Sequence, residues 1–199
     1  MTLSRREVLR QLAVAATSAA AGGFNLEAAR VVHAFAAEER AQAGGYAPRL
    51  LTAHVRRLAE LVVPADAGGG SAVDAGAPEF IDLLCSENER LADIYRRGVA
   101  WVDEETDRRG GGAFVGASSG RQTALLDALV DAERAGGAGD LAPGVRFFAW
   151  VRRMTVDAYY TSPIGIRDVG YEGNRVASAY DTPPAALEFI DRLADDLGL

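Results

Sequence analysis

Two histidines, one cysteine and a few clustered carboxylates are the side chains of this 199-residue chain with the strongest claim to chemistry. A general base or a metal ligand works only where other groups converge on it. His54 stands beside Val55 in a helix-patterned stretch with no carboxylate three or four residues on, which predicts a helix-surface or core-edge residue. A histidine-dependent triad could rest only on His54, and no Gly-x-Ser-x-Gly elbow presents a serine to it. Asp103, Glu104, Glu105 and Asp107 close a long helical stretch, where the helical repeat spreads them round the axis as a solvated face. Asp66 and Asp74 lie in a glycine-rich loop that lacks the alternating ligands of a calcium loop. The Glu-x-x-His signature of di-iron bundles, a haem-attachment motif and a dinucleotide fingerprint are all missing from the sequence. Cys85 is the single cysteine, so an internal disulfide and a thiolate-built zinc site are excluded. It follows Phe80-Ile81-Asp82-Leu83-Leu84 and is either a buried small hydrophobe or paired with another chain. These residues predict no catalytic, cofactor-binding or metal site in the chain itself.

The N-terminus carries a different signal. Ser4-Arg5-Arg6-Glu7-Val8-Leu9 places two adjacent arginines ahead of the uncharged segment Leu12 to Phe24, the pattern read by the twin-arginine translocase. That segment is too short and too weakly apolar for a comfortable membrane span. Ala34-Phe35-Ala36 offers small residues where a signal peptidase needs them, so residues 1–36 are read as the leader, taking His33 with them, and 37–199 as one domain. Against that boundary, Asn25 to Ala41 mixes apolar and charged residues in the manner of an amphipathic helix. The export route carries folded cargo, which points to a periplasmic protein that first assembles with a cofactor or a partner.

Apolar residues make up 49% of the chain, enough to build a core, and the formal net charge is −7 with arginine as the only basic residue besides histidine. An acidic chain of this kind is not a nucleic-acid binder. Leu51, Val55, Leu58 and Val62 fall at helical spacing and Pro64 stops them. Pro78 suits a first helical turn, after which Phe80, Leu84, Leu91, Ile94, Tyr95 and Val102 read as one long stripe. Ser119 with Gln122 forms a capping box ahead of Leu125 and Leu129. Pro143 opens a helix through Phe147, Phe148, Val151 and Met154, and Pro183-Pro184 opens a last one. Nothing alternates with the period of a strand. The expected fold is mostly α: a compact helical bundle with long irregular loops behind a signal segment.

Two connections are longer and more distinctive than a bundle requires. Pro64 to Gly76 joins the first two helices, and Tyr159 to Tyr180 runs without periodicity while carrying four tyrosines. Tyrosine buries much area at little entropic cost, so the second suits an interface, or else it covers the end of the bundle.

Taken together, these features resemble the gluconate 2-dehydrogenase subunit 3 family. The match runs through the twin-arginine leader, Leu58-Ala59-Glu60-Leu61-Val62-Val63-Pro64-Ala65-Asp66 with Asp74-Ala75-Gly76-Ala77-Pro78-Glu79-Phe80-Ile81-Asp82, Tyr95-Arg96-Arg97-Gly98-Val99, and Phe147-Phe148 through Thr155 to Gly165 and on to Gly170-Tyr171-Glu172-Gly173. Where the family loop commonly continues into Thr-Pro-Gly, this chain has Gly68-Gly69-Gly70-Ser71, and Arg167-Asp168-Val169 stands where a tryptophan is often found. The resemblance implies a non-catalytic subunit that binds, stabilises and co-exports a large flavoprotein of the glucose–methanol–choline type. FAD would sit on that partner, and haem c on a cytochrome c subunit where one is present. The residues expected to touch the partner are Pro64, Asp66, Cys85, Tyr159, Tyr160, Pro163, Gly165, Gly170, Tyr171 and Gly173, while Arg5 and Arg6 carry the targeting signal. The rival reading is a stand-alone periplasmic helical ligand-binding protein.

Overall fold

A computed structural model describes residues 26–41, 52–66, 69–171 and 182–198; Arg5, Arg6 and Gly173 lie outside these residues. The apolar periodicity resolves into helices α1 (Leu26–Ala41), α2 (Thr52–Val62), α3 (Ala77–Glu87), α4 (Glu89–Arg108), α5 (Ser119–Arg134), α6 (Ala142–Tyr160), α7 (Pro163–Asp168) and α8 (Pro184–Leu197). No strand occurs among the described residues, and the helices form a compact bundle as the sequence predicts.

Helix α3 is the centre. Every residue from Ala77 to Cys85 is buried, including Glu79 and Asp82, because α1, α2, α4 and α6 all pack on it. A helix so enclosed carries apolar side chains round most of its circumference rather than along one stripe, and its buried Glu79 accepts from Arg56 Nη2 at 3.4 Å. Helix α6 is the second hub, touching α2, α3, α4, α5 and α7 through Phe147, Phe148, Val151, Met154 and Ala158. Each fully buried Leu, Phe or Met side chain of this core contributes on the order of 1.5–3 kcal/mol. Close helix approach is bought with glycine: a Cβ on Gly98 would strike the Phe147 ring, and one on Gly144 the Trp101 ring.

Four local expectations are corrected. The long stripe after Pro78 is two helices, because Asn88 leaves the helical region (φ −134°, ψ 99°) and its Oδ1 accepts from the Leu91 N–H at 3.1 Å, capping α4. The capping box at Ser119 does not form: Ser118 holds the N-cap position, and Gln122 turns inward. There the Gln122 Oε1 accepts from Arg57 Nε at 2.8 Å while its Nε2 donates to the Phe114 carbonyl at 2.7 Å. The acidic end of α4 is only partly a solvated face. Glu105 is 4% exposed and paired with Arg108 and Arg109, and the half-buried Asp103 is held by the Phe114 N–H. Finally, Tyr159 and Tyr160 end α6, and 163–168 is helix α7, a segment of six residues that is too short to reveal a helical period in sequence.

Candidate functional site

The two distinctive connections meet. Loop 64–76 is closed at its base by Ala72 N–H to the Val63 carbonyl at 2.9 Å and by Ala77 N–H to the Ala72 carbonyl at 2.9 Å. Asp66 accepts from the Gly69 N–H at 2.7 Å. Asp74 Oδ2 accepts from both the N–H (2.8 Å) and the hydroxyl (2.7 Å) of Ser71, whose Oγ accepts in return from the Asp74 N–H at 3.1 Å. The Ser71 hydroxyl and N–H hold the Asp74 carboxyl below its ordinary range, so this acid is committed to the turn. The described part of this glycine-rich loop, residues 69–76, is thereby held in a defined turn.

Tyr159 lies beneath that loop. Its ring is buried and its hydroxyl lies beside Asp168; burial first, and the Asp168 charge second, push the phenol up. A Cβ on Gly69 would stand 2.9 Å from this hydroxyl and 3.0 Å from Asp168 Oδ1, and one on Gly70 would stand 3.5 Å from Ile164 Cδ1. The bare Gly69 therefore lets the loop settle on the end of α6 and on α7, and Gly70 lies at ordinary contact distance from Ile164. Tyr160 stacks edge-to-face on Tyr159, with centroids 5.0 Å apart, and is itself exposed.

The α6–α7 corner is equally tight. Ser162 Oγ donates to the Tyr159 carbonyl at 2.7 Å and accepts from the Gly165 N–H at 3.0 Å, capping α7, whose first residue is Pro163. Gly165 presses against the Tyr159 carbonyl and the Tyr160 Cα, so a side chain there has no room. A Schellman motif ends α7: Gly170 takes a left-handed φ of 62°, its N–H bonds to the Arg167 carbonyl at 3.0 Å, and the Tyr171 N–H reaches the Ile166 carbonyl at 3.1 Å. This fold-back leaves Tyr171 and Val169 about half exposed.

Of the residues expected at a partner surface, Pro64, Asp66, Tyr160, Pro163, Gly170 and Tyr171 are exposed, and the last four lie together along the α6 end and α7. Tyr159 and Gly165 are buried and act as supports. Cys85 is 3% exposed in the core, and burial pushes its thiol up to about 12, so of the two readings open in the sequence the structure takes the buried one.

Two features escape sequence reasoning. His54 Nε2 and the Phe114 N–H both bond Asp103 Oδ1, at 3.0 and 2.8 Å. The pair joins α2 to the end of α4 and the 3-10 turn at Phe114. A histidine–carboxylate pair can serve catalysis, but here the acceptor oxygen already holds a backbone amide, as a structural tie would. With the partners 49 positions apart in the chain, no local rule could find it. The second feature is a groove of about 640 Å³ between α1 and the α7 region, lined by Arg30, His33, Ala37, Asp74, Pro163 and Ile164 among others. Among the described residues no three His, Cys, Asp or Glu side chains gather as a metal site. Nor is any described helix long and apolar enough to cross a membrane.

No curated protein and no solved structure matches the chain. Residues 52–177, however, match the family described as gluconate 2-dehydrogenase subunit 3. That span takes in α2 to α7 and with them both halves of the composite face. The chain belongs to the gluconate 2-dehydrogenase subunit 3 family.

Proposed function

We propose that this chain is the non-catalytic accessory subunit of an FAD-dependent sugar or polyol dehydrogenase, and that it binds its flavoprotein through the face built by loop 64–76, the end of α6 and α7. The observation that carries this reading is the convergence of those segments, within the matched span, on a rigid base with Tyr160, Val169 and Tyr171 displayed to solvent. Aromatic side chains held in place beforehand lose little entropy on docking, which is what an interface anchor requires. A second apolar surface supports it. On α8, Leu187, Phe189, Ile190 and Leu193 are each about half exposed, beside Glu188, Asp191, Asp195 and Asp196 with Arg192 as the one basic residue of the helix. An acidic rim of this kind suits a protein groove and repels an anionic membrane.

On this reading FAD resides on a glucose–methanol–choline-type partner, and haem c on a third, cytochrome c subunit where present. The leader with Arg5 and Arg6 presents the assembled pair to the twin-arginine translocase, and the complex works in the periplasm. The test is purification of the tagged protein from its native host, followed by an absorbance spectrum and sugar-dependent dye reduction. A large co-purifying chain with flavin bands is expected. Replacing Tyr160 and Tyr171 together by Ala should weaken its capture at least about tenfold, each anchor contributing on the order of 1 kcal/mol or more. Unchanged capture would refute the placement of the interface. A colourless single chain would overturn the accessory role and favour a stand-alone ligand-binding protein that uses the α1 groove.

A further inference from the structure

Helix α1 is built into the core. Ala29 and Val32 are 0% and 1% exposed within the core cluster, and Phe35 packs against it. The His33 ring lies 4.9 Å from that of Phe80 on the central helix, and its Nε2 is 3.1 Å from Thr161 Oγ1 at the α6–α7 corner. Ala36, the residue at which the sequence pattern places the end of the leader, is 3% exposed and lies inside this helix.

We propose that α1 stays on the mature subunit and that the leader is cut ahead of it, between Ala19 and Gly23, rather than after Ala36. The inference rests on the export reading above. A route that carries folded cargo presents the peptidase with a chain whose helices have already formed. A bond inside a packed helix is then closed to a protease, which needs an extended, exposed segment. Cutting after Ala36 would also strip eleven of the sixteen residues of α1 and uncover Phe80 and the α6–α7 corner.

The upstream sequence has what the cut requires. Leu12 to Ser18 is an uncharged run of seven residues, at the short end of the 7–15 expected of a leader's apolar region. Ala19-Ala20-Ala21-Gly22-Gly23 follows with small residues throughout, so the −3 and −1 positions are satisfied for a cut after Ala21 or Gly23. Between that run and Ala36 stand Glu27 and Arg30, charges out of place between an apolar region and its cleavage site.

The experiment is an intact-mass measurement on C-terminally tagged protein from the periplasm of the native host. A chain beginning between residues 20 and 24 is expected. A chain beginning at Ala37, or an exported chain left uncut, would overturn the assigned cut. An uncut chain confined to the cytoplasm would overturn the export reading and the cut together. The place of α1 in the core is read separately, by thermal melting of two neighbouring variants of the full chain. Val32→Asp buries a charge and should lower the midpoint by at least about 5 °C, whereas Val31→Asp, at a position 37% exposed, should leave it unchanged. Should Val32→Asp fail to accumulate, Val32→Ala reads the same contact with a smaller shift. Equal melting of the position-31 and position-32 variants would overturn the proposal.

Discussion

Gly165→Ala should unseat the candidate face by adding a single methyl group. The new Cβ would run into the Tyr159 carbonyl and the Tyr160 Cα, and these are backbone atoms with no rotamer through which to yield. Overpacking of this kind costs about 1–3 kcal/mol. Relief requires α7 to lift from α6, which stretches the 3.0 Å bond from the Gly165 N–H to Ser162 Oγ and forfeits about 1 kcal/mol of capping. Together these give a loss of about 2–4 kcal/mol, or a fall in melting midpoint of about 5–15 °C for a chain of this size. Gly120→Ala is the matched control: a Cβ there meets nothing within 4 Å in the first turn of α5, so the midpoint should hold or rise slightly. The assay is helical circular dichroism on heating, paired with capture of the flavoprotein at a temperature where both variants are folded. Gly165→Ala should lose capture through the displaced Tyr160 and Tyr171, and Gly120→Ala should keep it. A midpoint for Gly165→Ala within about 2 °C of the parent, with capture intact, would show that the corner is not rigid and would remove the basis for the face.

The remaining predictions concern single groups. Cys85, with its thiol pushed up to about 12 by burial, stays protonated below that pH, so it should resist a thiol reagent at pH 8 until denaturant is added; rapid labelling of the native protein would place it at a surface instead. Asp157 has its carboxyl raised, chiefly by burial and against the pull of Arg153. A raised carboxyl binds its proton more tightly in the folded state, so the ionised form costs stability at neutral pH and that cost fades as pH falls through the raised value towards 3.8. Asp157→Asn should therefore melt higher than the parent at pH 7, with the advantage shrinking near pH 4; an advantage that grows on acidification would reverse the assignment.

Most of the helices were legible in the sequence because their signals are local. Apolar residues at helical spacing, Pro78 and Pro143 in first turns and the stop at Pro64 reflect backbone geometry acting over a few residues. The family resemblance was legible for the same reason, since it rests on short stretches in a fixed order. The expectations that the structure corrects at Asn88, Ser119 and α7 concern boundaries that turn on one cap or one short helix. What only the tertiary structure decided lies in contacts between residues far apart in the chain. His54 finds Asp103, Gln122 bridges Arg57 and Phe114, and Gly69 meets Tyr159, none of which a short sequence window contains. The fate of Cys85 was settled likewise, because burial depends on which four helices close around α3 rather than on the residues beside it. Sequence set the helices and their apolar faces; packing alone chose which polar side chains would be spent inside and which tyrosines would be left displayed.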